Sequence, residues 1–366
     1  MNRITLVVND DIEWEGFTST SIKKDADSLS GTFNISLTPY ANKDKIIIAP
    51  IFTGNKIELY INDKPVINGY IDDVNISYTD ISHSISISGR DKSMDLIDSS
   101  VVRNLSINAP YSLNKMVNAV LKNIGLENEI KVLNEVGNIQ YEENFETERG
   151  ANLWQSLNKY LQKKSIYATT DYNGNIVLFQ GNRGDTNISL FNTLDRPTNI
   201  KSANFTDSYK QRFNKISVIS QSPSIFSFGE FANQGGEKYS IKDNNIRASR
   251  QLEFVPKVSL TSEECLDLAK FERNIRKIKG QTYSCVVQGF EQTKNGKLWE
   301  PLYLVEVEDI FMDINDNLLI KSVEFTQDIE GGSLTTLGLV SKDAYTLVDP
   351  TAIQEKTKGD TLEGLF

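Results

Sequence analysis

The sequence is short of most residues that chemistry at a protein site requires. Its 366 residues include one histidine, His83, and two cysteines, Cys265 and Cys285. Zinc sites need Cys and His ligands at short spacing, and this set does not supply them. His83 lies in Ser82-His83-Ser84, where a surface turn or strand start is expected rather than a catalytic base. Two cysteines make no disulfide framework, and both sit in apolar patterns, so buried thiols are expected. No glycine-rich phosphate loop is present. No run of about 18 apolar residues occurs, so no membrane insertion by this chain is expected. Met1 to Asp11 has no basic segment followed by an apolar stretch, so no secretion signal is expected and assembly in a cytosol is. Positive charge is also scarce, with 39 basic against 49 acidic residues and a net charge of −10. A protein that grips nucleic acid needs a positive surface. This one suits a surface that nucleic acid slides past.

What is present is alternation. A chain this long holds two or three domains, and 39 % hydrophobic with 24 % charged residues is ordinary for a folded protein. Through the first hundred residues, Ile4-Leu6-Val8, Phe33-Ile35-Leu37, Ile57-Leu59-Ile61, Val74-Ile76-Tyr78 and Ile81-Ile85-Ile87 largely alternate with polar residues, the period of a half-buried strand. Turn residues separate them at Ser30-Gly31, Gly54-Asn55 and Asn62-Asp63. From Ser112 to Ile124 the period changes: Leu113, Met116, Val117, Val120 and Leu121 share one helical face, and Gly125 ends it. A second helix is predicted from about Arg149 to Lys164, followed by a hairpin through Asp171–Asn175. A third begins at the capping box Thr261-Ser262-Glu263-Glu264 and stops at Gly280. Gln221 to Arg250 reads as a long loop or arm, and the last twenty residues as a flexible tail.

Two distant stretches follow one plan. Ile57–Asp63, Val66–Ile71 and Val74–Ile76 precede a strand closing on Gly89-Arg90-Asp91. Leu304–Asp309, Leu318–Ile320 and Val323–Phe325 precede one closing on Ser341-Lys342-Asp343. The shared order points to two related β-barrels in one chain, against a generic likeness of β-meanders. The expected fold class is α+β, mainly β: two related small β-barrel domains, an α/β domain between them, and an additional helix before the second barrel's last strands. The expected limits are 1–100, 101–200 and 201–345, the last with a loop (221–250) and helix (261–279), then a tail over 346–366.

Short motifs then tie the chain to a family. Gly69-Tyr70-Ile71-Asp72, Gly89-Arg90-Asp91 and Met94–Ser99 lie near the first barrel. Ile219-Ser220-Gln221, Val287-Gln288-Gly289-Phe290, Gly296–Pro301 and Val305–Asp309 lie near the second. In this series the chain resembles baseplate hub proteins of Mu-like contractile-tailed phages, related in fold to the T4 hub and the hub part of type VI secretion spikes. The resemblance implies a homotrimeric ring between the tail tube (or a tube-initiator protein) and a central spike, within baseplate wedge proteins. It also implies a channel for tape-measure protein and DNA, with DNA only in transit. Three chains with two barrels each would give six like units. Physics assigns the motifs structural roles: Gly69 and Gly89 where backbones crowd, Arg90 and Asp91 in pairing or capping, Asp95, Asp98 and Ser99 in local backbone bonds, and Trp299 as a fold anchor or subunit contact.

No catalytic, cofactor-binding or metal-binding residues are expected, and no cofactor. Some phage hubs carry a fused lysozyme, so a tail-associated cell-wall hydrolase is the rival reading. Asp72-Asp73, Glu142-Glu143, Glu146 with Glu148, and Glu263-Glu264 are its candidate carboxylates. Solubility and capping explain them better. Asp313–Asn317 with Glu324 imitates a calcium loop but has Leu318 where glycine is needed, so a hairpin turn is expected there. Arg183-Gly184-Asp185 is read as a chance tripeptide. A receptor- or glycan-binding module would need an aromatic platform, and Phe226, Phe228 and Phe231 are the one candidate cluster.

Overall fold

A computed structural model describes residues 2–37, 40–42, 45–47, 51–81, 83–220, 238–256, 260–292 and 296–346. In chain order, the first part holds β1 (Ile4–Val8), β2 (Ile12–Trp14), β3 (Ser19–Asp25), β4 (Thr32–Leu37), β5 (Tyr40–Asn42), β6 (Lys45–Ile47), β7 (Lys56–Ile61), β8 (Lys64–Tyr78) and β9 (His83–Asp91). Then come α1 (Met94–Asp98), β10 (Ser106–Ile107), β11 (Tyr111–Ser112), α2 (Leu113–Asn123), β12 (Val132–Asn134), β13 (Gln140–Tyr141), β14 (Phe145–Glu146), α3 (Leu153–Lys163), β15 (Tyr167–Thr170) and β16 (Ile176–Phe179). The remainder is β17 (Asp185–Asn192), β18 (Ile200–Asp207), β19 (Lys215–Ile219), β20 (Lys238–Lys242), β21 (Gln251–Phe254), α4 (Ser262–Gly280), β22 (Gln281–Gln288), β23 (Leu304–Asp309), β24 (Ile314–Asp328) and β25 (Gly332–Ser341).

Alternation becomes burial. In β7, Ile57, Leu59 and Ile61 turn inward between half-buried neighbours, and β4 and β23 do the same. Thirteen strands join one sheet in the order β18-β22-β25-β24-β3-β4-β9-β8-β7-β1-β2, with β23 on β24 and β17 on β23. Beneath it one apolar core runs from Leu6, Ile35 and Ile87 to Val305, Phe325 and Leu339. The fold is mainly β with few helices. The expected barrels are not closed by strand pairing among the described residues, because the sheet instead runs on from one half into the other through β3 and β24.

The sheet splits there into two branches of the same order. One is β3-β4-β9-β8-β7-β1, the other β18-β22-β25-β24-β23-β17. In both, a long bent strand carries a bulge at the same place, at Asp72 in β8 against β9 and at Lys321 in β24 against β25; β8 has a second register shift, at Val66 against β7, that β24 lacks against β23. The hydrogen bonds beside the bulges also match. Ile71 N donates to Asn55 O (3.1 Å) and Gly54 N to Ile71 O (2.8 Å); Ile320 N donates to Tyr303 O (2.9 Å) and Leu302 N to Ile320 O (2.8 Å). One pairing departs from the match, since β1 runs antiparallel to β7 but β17 parallel to β23.

Bulge register corrects one sequence match. Gly89 faces Ile71 and Leu339 faces Ile320, so Asp91 corresponds to Ser341 and not to Asp343. The two basic-acidic endings are two residues out of step. Their surroundings differ accordingly: Asp91 is buried, whereas Lys342 forms an exposed pair with Asp316.

The middle unit has its own core, in which Met116 and Val120 of α2 and Leu157 and Leu161 of α3 are buried. Ser112 caps α2 by accepting from Lys115 N, and Asn152 caps α3 by accepting from Gln155 N. Gly125 takes the positive φ of 78° that ends α2. In the Asp171–Asn175 turn the Asp171 carboxylate accepts from Asn173 N and Asn175 N.

Two expectations in the later chain change. Within the stretch read as a loop, Lys238–Lys242 is strand β20, which joins β19 and β21 in a three-stranded sheet. The capping box of α4 is present as read, with Thr261 Oγ1 accepting from Glu264 N (3.3 Å) and Glu264 accepting from Thr261 N (2.9 Å). The helix packs Cys265 and Ala269 against Ile216 and Val218 of that small sheet. Gly280 does not stop α4 in a left-handed conformation. The helix passes directly into β22, and Gly280 is required because a Cβ would lie 2.8 Å from Ser208 O. Residues 221–237 of the expected loop, with Phe226, Phe228 and Phe231, and nearly all of the expected tail lie outside the described residues.

Candidate functional site: an intrachain seam and two open edges

The place where the two branches meet is built from residues about 300 apart in the chain. β3 pairs antiparallel with the far part of β24, placing Ile22 opposite Phe325, Ser21 opposite Thr326 and Thr20 opposite Gln327. Ile22 and Phe325 are each 1 % exposed. Ser21 Oγ donates to Glu324 (2.7 Å), and Lys321 Nζ pairs with Asp27 (3.1 Å). Cross-strand apolar pairs and satisfied polar neighbours are what stabilise a sheet locally.

Two other edges lack such a partner among the described residues. β18 pairs with β22 alone, and β8 beyond its bulge pairs with β9 alone. Both edges show apolar side chains to solvent: Phe205 is 42 % exposed on β18, and Ile76 and Tyr78 are 58 % and 79 % exposed on β8. Long exposed edges with apolar residues are templates for further pairing unless they are blocked.

Behind the seam lies a buried charge pair. Lys24 Nζ donates to Asp91 Oδ2 (2.7 Å), Thr170 Oγ1 (2.8 Å) and Asp171 O (2.9 Å), which uses all three ammonium protons. Asp91 also accepts from Gly31 N (2.7 Å), Thr170 Oγ1 (2.6 Å), Ser30 Oγ (3.0 Å), Ser93 N (3.2 Å) and Ser93 Oγ (2.5 Å). Burial pushes the Asp91 carboxyl up, but Lys24 and these donors outweigh it and hold the carboxyl below its ordinary range. A Cβ on Gly31 would lie 2.6 Å from the Lys24 stem, so glycine makes the room. The network fastens the first branch to β15 of the middle unit.

The other singled-out residues find structural places. Arg90 binds Asp72 (2.7 Å) and Asp98 (2.7 Å), so the Asp98 carboxylate serves Arg90 rather than the local backbone. A Cβ on Gly69 would overlap the Arg90 carbonyl, and one on Gly89 the Tyr70 carbonyl, as the crowding argument requires. Trp299 is buried in the shared core, and its carbonyl accepts from the Tyr172 hydroxyl, which makes it a fold anchor. Both cysteines are buried free thiols. His83 is exposed at the start of β9, with its ring stacked on Tyr78 at 6.0 Å.

The carboxylate candidates are scattered. Asp72 serves Arg90, Glu143 pairs with Lys163 (2.5 Å), and Glu264 caps α4. Two carboxyls are held above their ordinary range by burial: Asp95, with Asp98 adding to it, and Glu300, with Arg183 and Lys297 opposing it. Nothing in the sequence pattern signals either shift, because burial here is tertiary. Arg183 of the Arg-Gly-Asp tripeptide is engaged by Glu135 (2.7 Å) and lies 3.8 Å from Glu300. Asn315, Asp316 and Asn317 belong to β24, and the hairpin turn lies just before them, so no calcium loop forms there.

Comparison with known proteins agrees with this geometry. The N-terminal domain of the Mu phage baseplate assembly protein GpP-like family matches residues 3–91, and the fourth domain of Mu phage baseplate assembly protein GpP matches residues 261–348. Both matches are to domains of phage baseplate proteins, one at each end of the chain. The baseplate hub protein gp44 of Escherichia phage Mu is 21 % identical over 354 residues, covering 96 % of this chain and 91 % of that protein. The 43 kDa tail protein of prophage MuSo2 from Shewanella oneidensis is 28 % identical with a TM-score of 0.80, covering 94 % of this chain and 99 % of that one. A tail protein from Neisseria meningitidis MC58 shares the fold, at 19 % identity and a TM-score of 0.79 over 94 % of this chain and 98 % of that one. The two ends of the chain thus match Mu phage baseplate assembly domains, and nearly its whole length is similar to the Mu baseplate hub protein.

Proposed function

We propose that this chain is the structural hub of a contractile-tail baseplate, a homotrimeric ring that joins the tail tube to the central spike. The observation that carries the reading is the repeated strand order: β3-β4-β9-β8-β7-β1 and β18-β22-β25-β24-β23-β17 are two copies of one unit. Three chains then present six like units, and a ring with three-fold chemistry can mate with a six-fold tube above and a three-fold spike below. Each unit is read as a small barrel whose wall is completed by loops and side chains. The limits 1–100, 101–200 and 201–345 belong to this reading, with 346–366 as a tail. The middle unit's separate core, which reaches Leu178, supports a division, with β17 (Asp185–Asn192) counted in the second unit rather than the middle one.

In this role the protein is not an enzyme. It needs wedge proteins around it, and it is assembled in the host cytoplasm. The lumen is the path of tape-measure protein and DNA, and a net charge of −10 suits passage without retention. Electron microscopy of the purified protein tests the reading. End-on views should show a ring with near six-fold modulation around a central hole; compact particles without a hole would overturn it.

A further inference from the structure

We propose that β18 of one copy pairs antiparallel with the far part of β8 of the next copy, in the register of the intrachain seam. The proposal rests on the ring reading above and supplies its contact.

Bulges and ladders fix the equivalences. With the bulges at Asp72 and Lys321 superposed, Ile76 takes the place of Phe325, Ser77 that of Thr326 and Tyr78 that of Gln327. The ladders across β9-β4-β3 and β25-β22-β18 place Phe205 where Ile22 stands, Asn204 where Ser21 stands and Ala203 where Thr20 stands. The seam pairs Ile22 with Phe325, so the same register between copies sets Phe205 opposite Ile76. Both members are 1 % exposed in the seam, against 42 % and 58 % on the open edges. The residues that the seam buries are thus the ones whose counterparts are left in solvent.

The charges at the bulges do not set the register, since Lys321 pairs with Asp27 in the seam while Asp72 already pairs with Arg90 of its own chain. The contact is heterologous, with one edge meeting a different edge, so it closes only as a ring. Strand addition of this kind draws its strength from main-chain hydrogen bonds and its register from side chains.

Paired cysteines test the register. Asn204→Cys with Ser77→Cys should oxidise to a covalently closed three-chain species, because directly opposed residues lie within disulfide reach. Asn204→Cys with Asn75→Cys should not, being displaced by two residues along the strand, where the diagonal is roughly 7–8 Å. The native cysteines are buried and give little background. Equal linking by both pairs would overturn the register. A trimer on native mass spectrometry with no 204–77 link would overturn the contact and leave the ring standing. A protein monomeric at every concentration, with no link, would overturn both. Phe205→Asp, at an exposed site, should leave the monomer's melting temperature in place and weaken assembly at least tenfold; a persistent trimer in that variant would also overturn the contact.

Discussion

The two branches of the sheet are alike in order and differ in what lies against their outer strand. β3 is covered by β24 of the same chain, and β18 by nothing among the described residues. On the ring proposed above, the difference is how a repeated unit would encode assembly. One junction is closed within the chain and becomes core; the equivalent surface stays open and keeps its apolar residues. Phe205 and Ile76 make little sense as solvent-facing residues of a solitary domain, but they fit a second junction of the same design.

The largest difference between the branches is expected at the buried charge pair behind the closed seam. Asp91→Ala leaves Lys24 buried without its counter-charge, and such losses cost about 3–5 kcal/mol. Calorimetry should show a large fall in melting temperature, or no folded protein. The counterpart on the open branch, Ser341→Ala, should change little, since Asp91 and Ser341 correspond only in position.

Next in size are the seam residues themselves. Phe325→Ala should lower the stability of the isolated chain by about 3–5 kcal/mol. Its counterpart Ile76→Ala should shift monomer stability by about 0.5 kcal/mol or less and act instead on assembly. Denaturant unfolding at low protein concentration separates the two effects. Equal costs in both variants would remove the distinction between closed and open junctions.

The branches differ at glycine positions too. Gly89 faces a backbone carbonyl, whereas the counterpart of that position is Leu339. Gly89→Ala should cost about 1–3 kcal/mol through overpacking. Gly338→Ala meets only the Ser322 hydroxyl, which can rotate away, and should cost less.

Acid sensitivity is the smallest effect near neutrality and grows below it. Asp91 has a folded value below its ordinary 3.8, so its contribution is complete above that ordinary value and is lost as pH falls through the lower folded one. The wild-type chain should therefore keep this stabilisation down to about pH 4. Asp91→Asn should flatten that part of the stability–pH curve; an unchanged curve would remove Asp91 from the account.

Much of this architecture is legible in local pattern. Alternation marks β4, β7 and β23, and the Thr261–Glu264 box marks the start of α4 with the bonds it implies. The repeat is legible as an order of elements, but its register is not. The endings Gly89-Arg90-Asp91 and Ser341-Lys342-Asp343 look alike and are two residues out of step, because residue type alone does not reveal which residues face each other across the ladder. The seam is also hidden, since nothing near Ile22 encodes a partner some 300 residues away. Arg90 and Asp91 stand out in sequence, yet Lys24 as the partner of Asp91 follows only from the fold. Lys238–Lys242 reads as loop because its composition is polar, and tertiary contact with β19 makes it a strand.

Native mass spectrometry across a range of concentrations tests the central claim most directly. A discrete three-chain species that dissociates to monomer on dilution, and is lost in the Phe205→Asp variant, is the expected result. A chain that stays strictly monomeric from low to high concentration would contradict it.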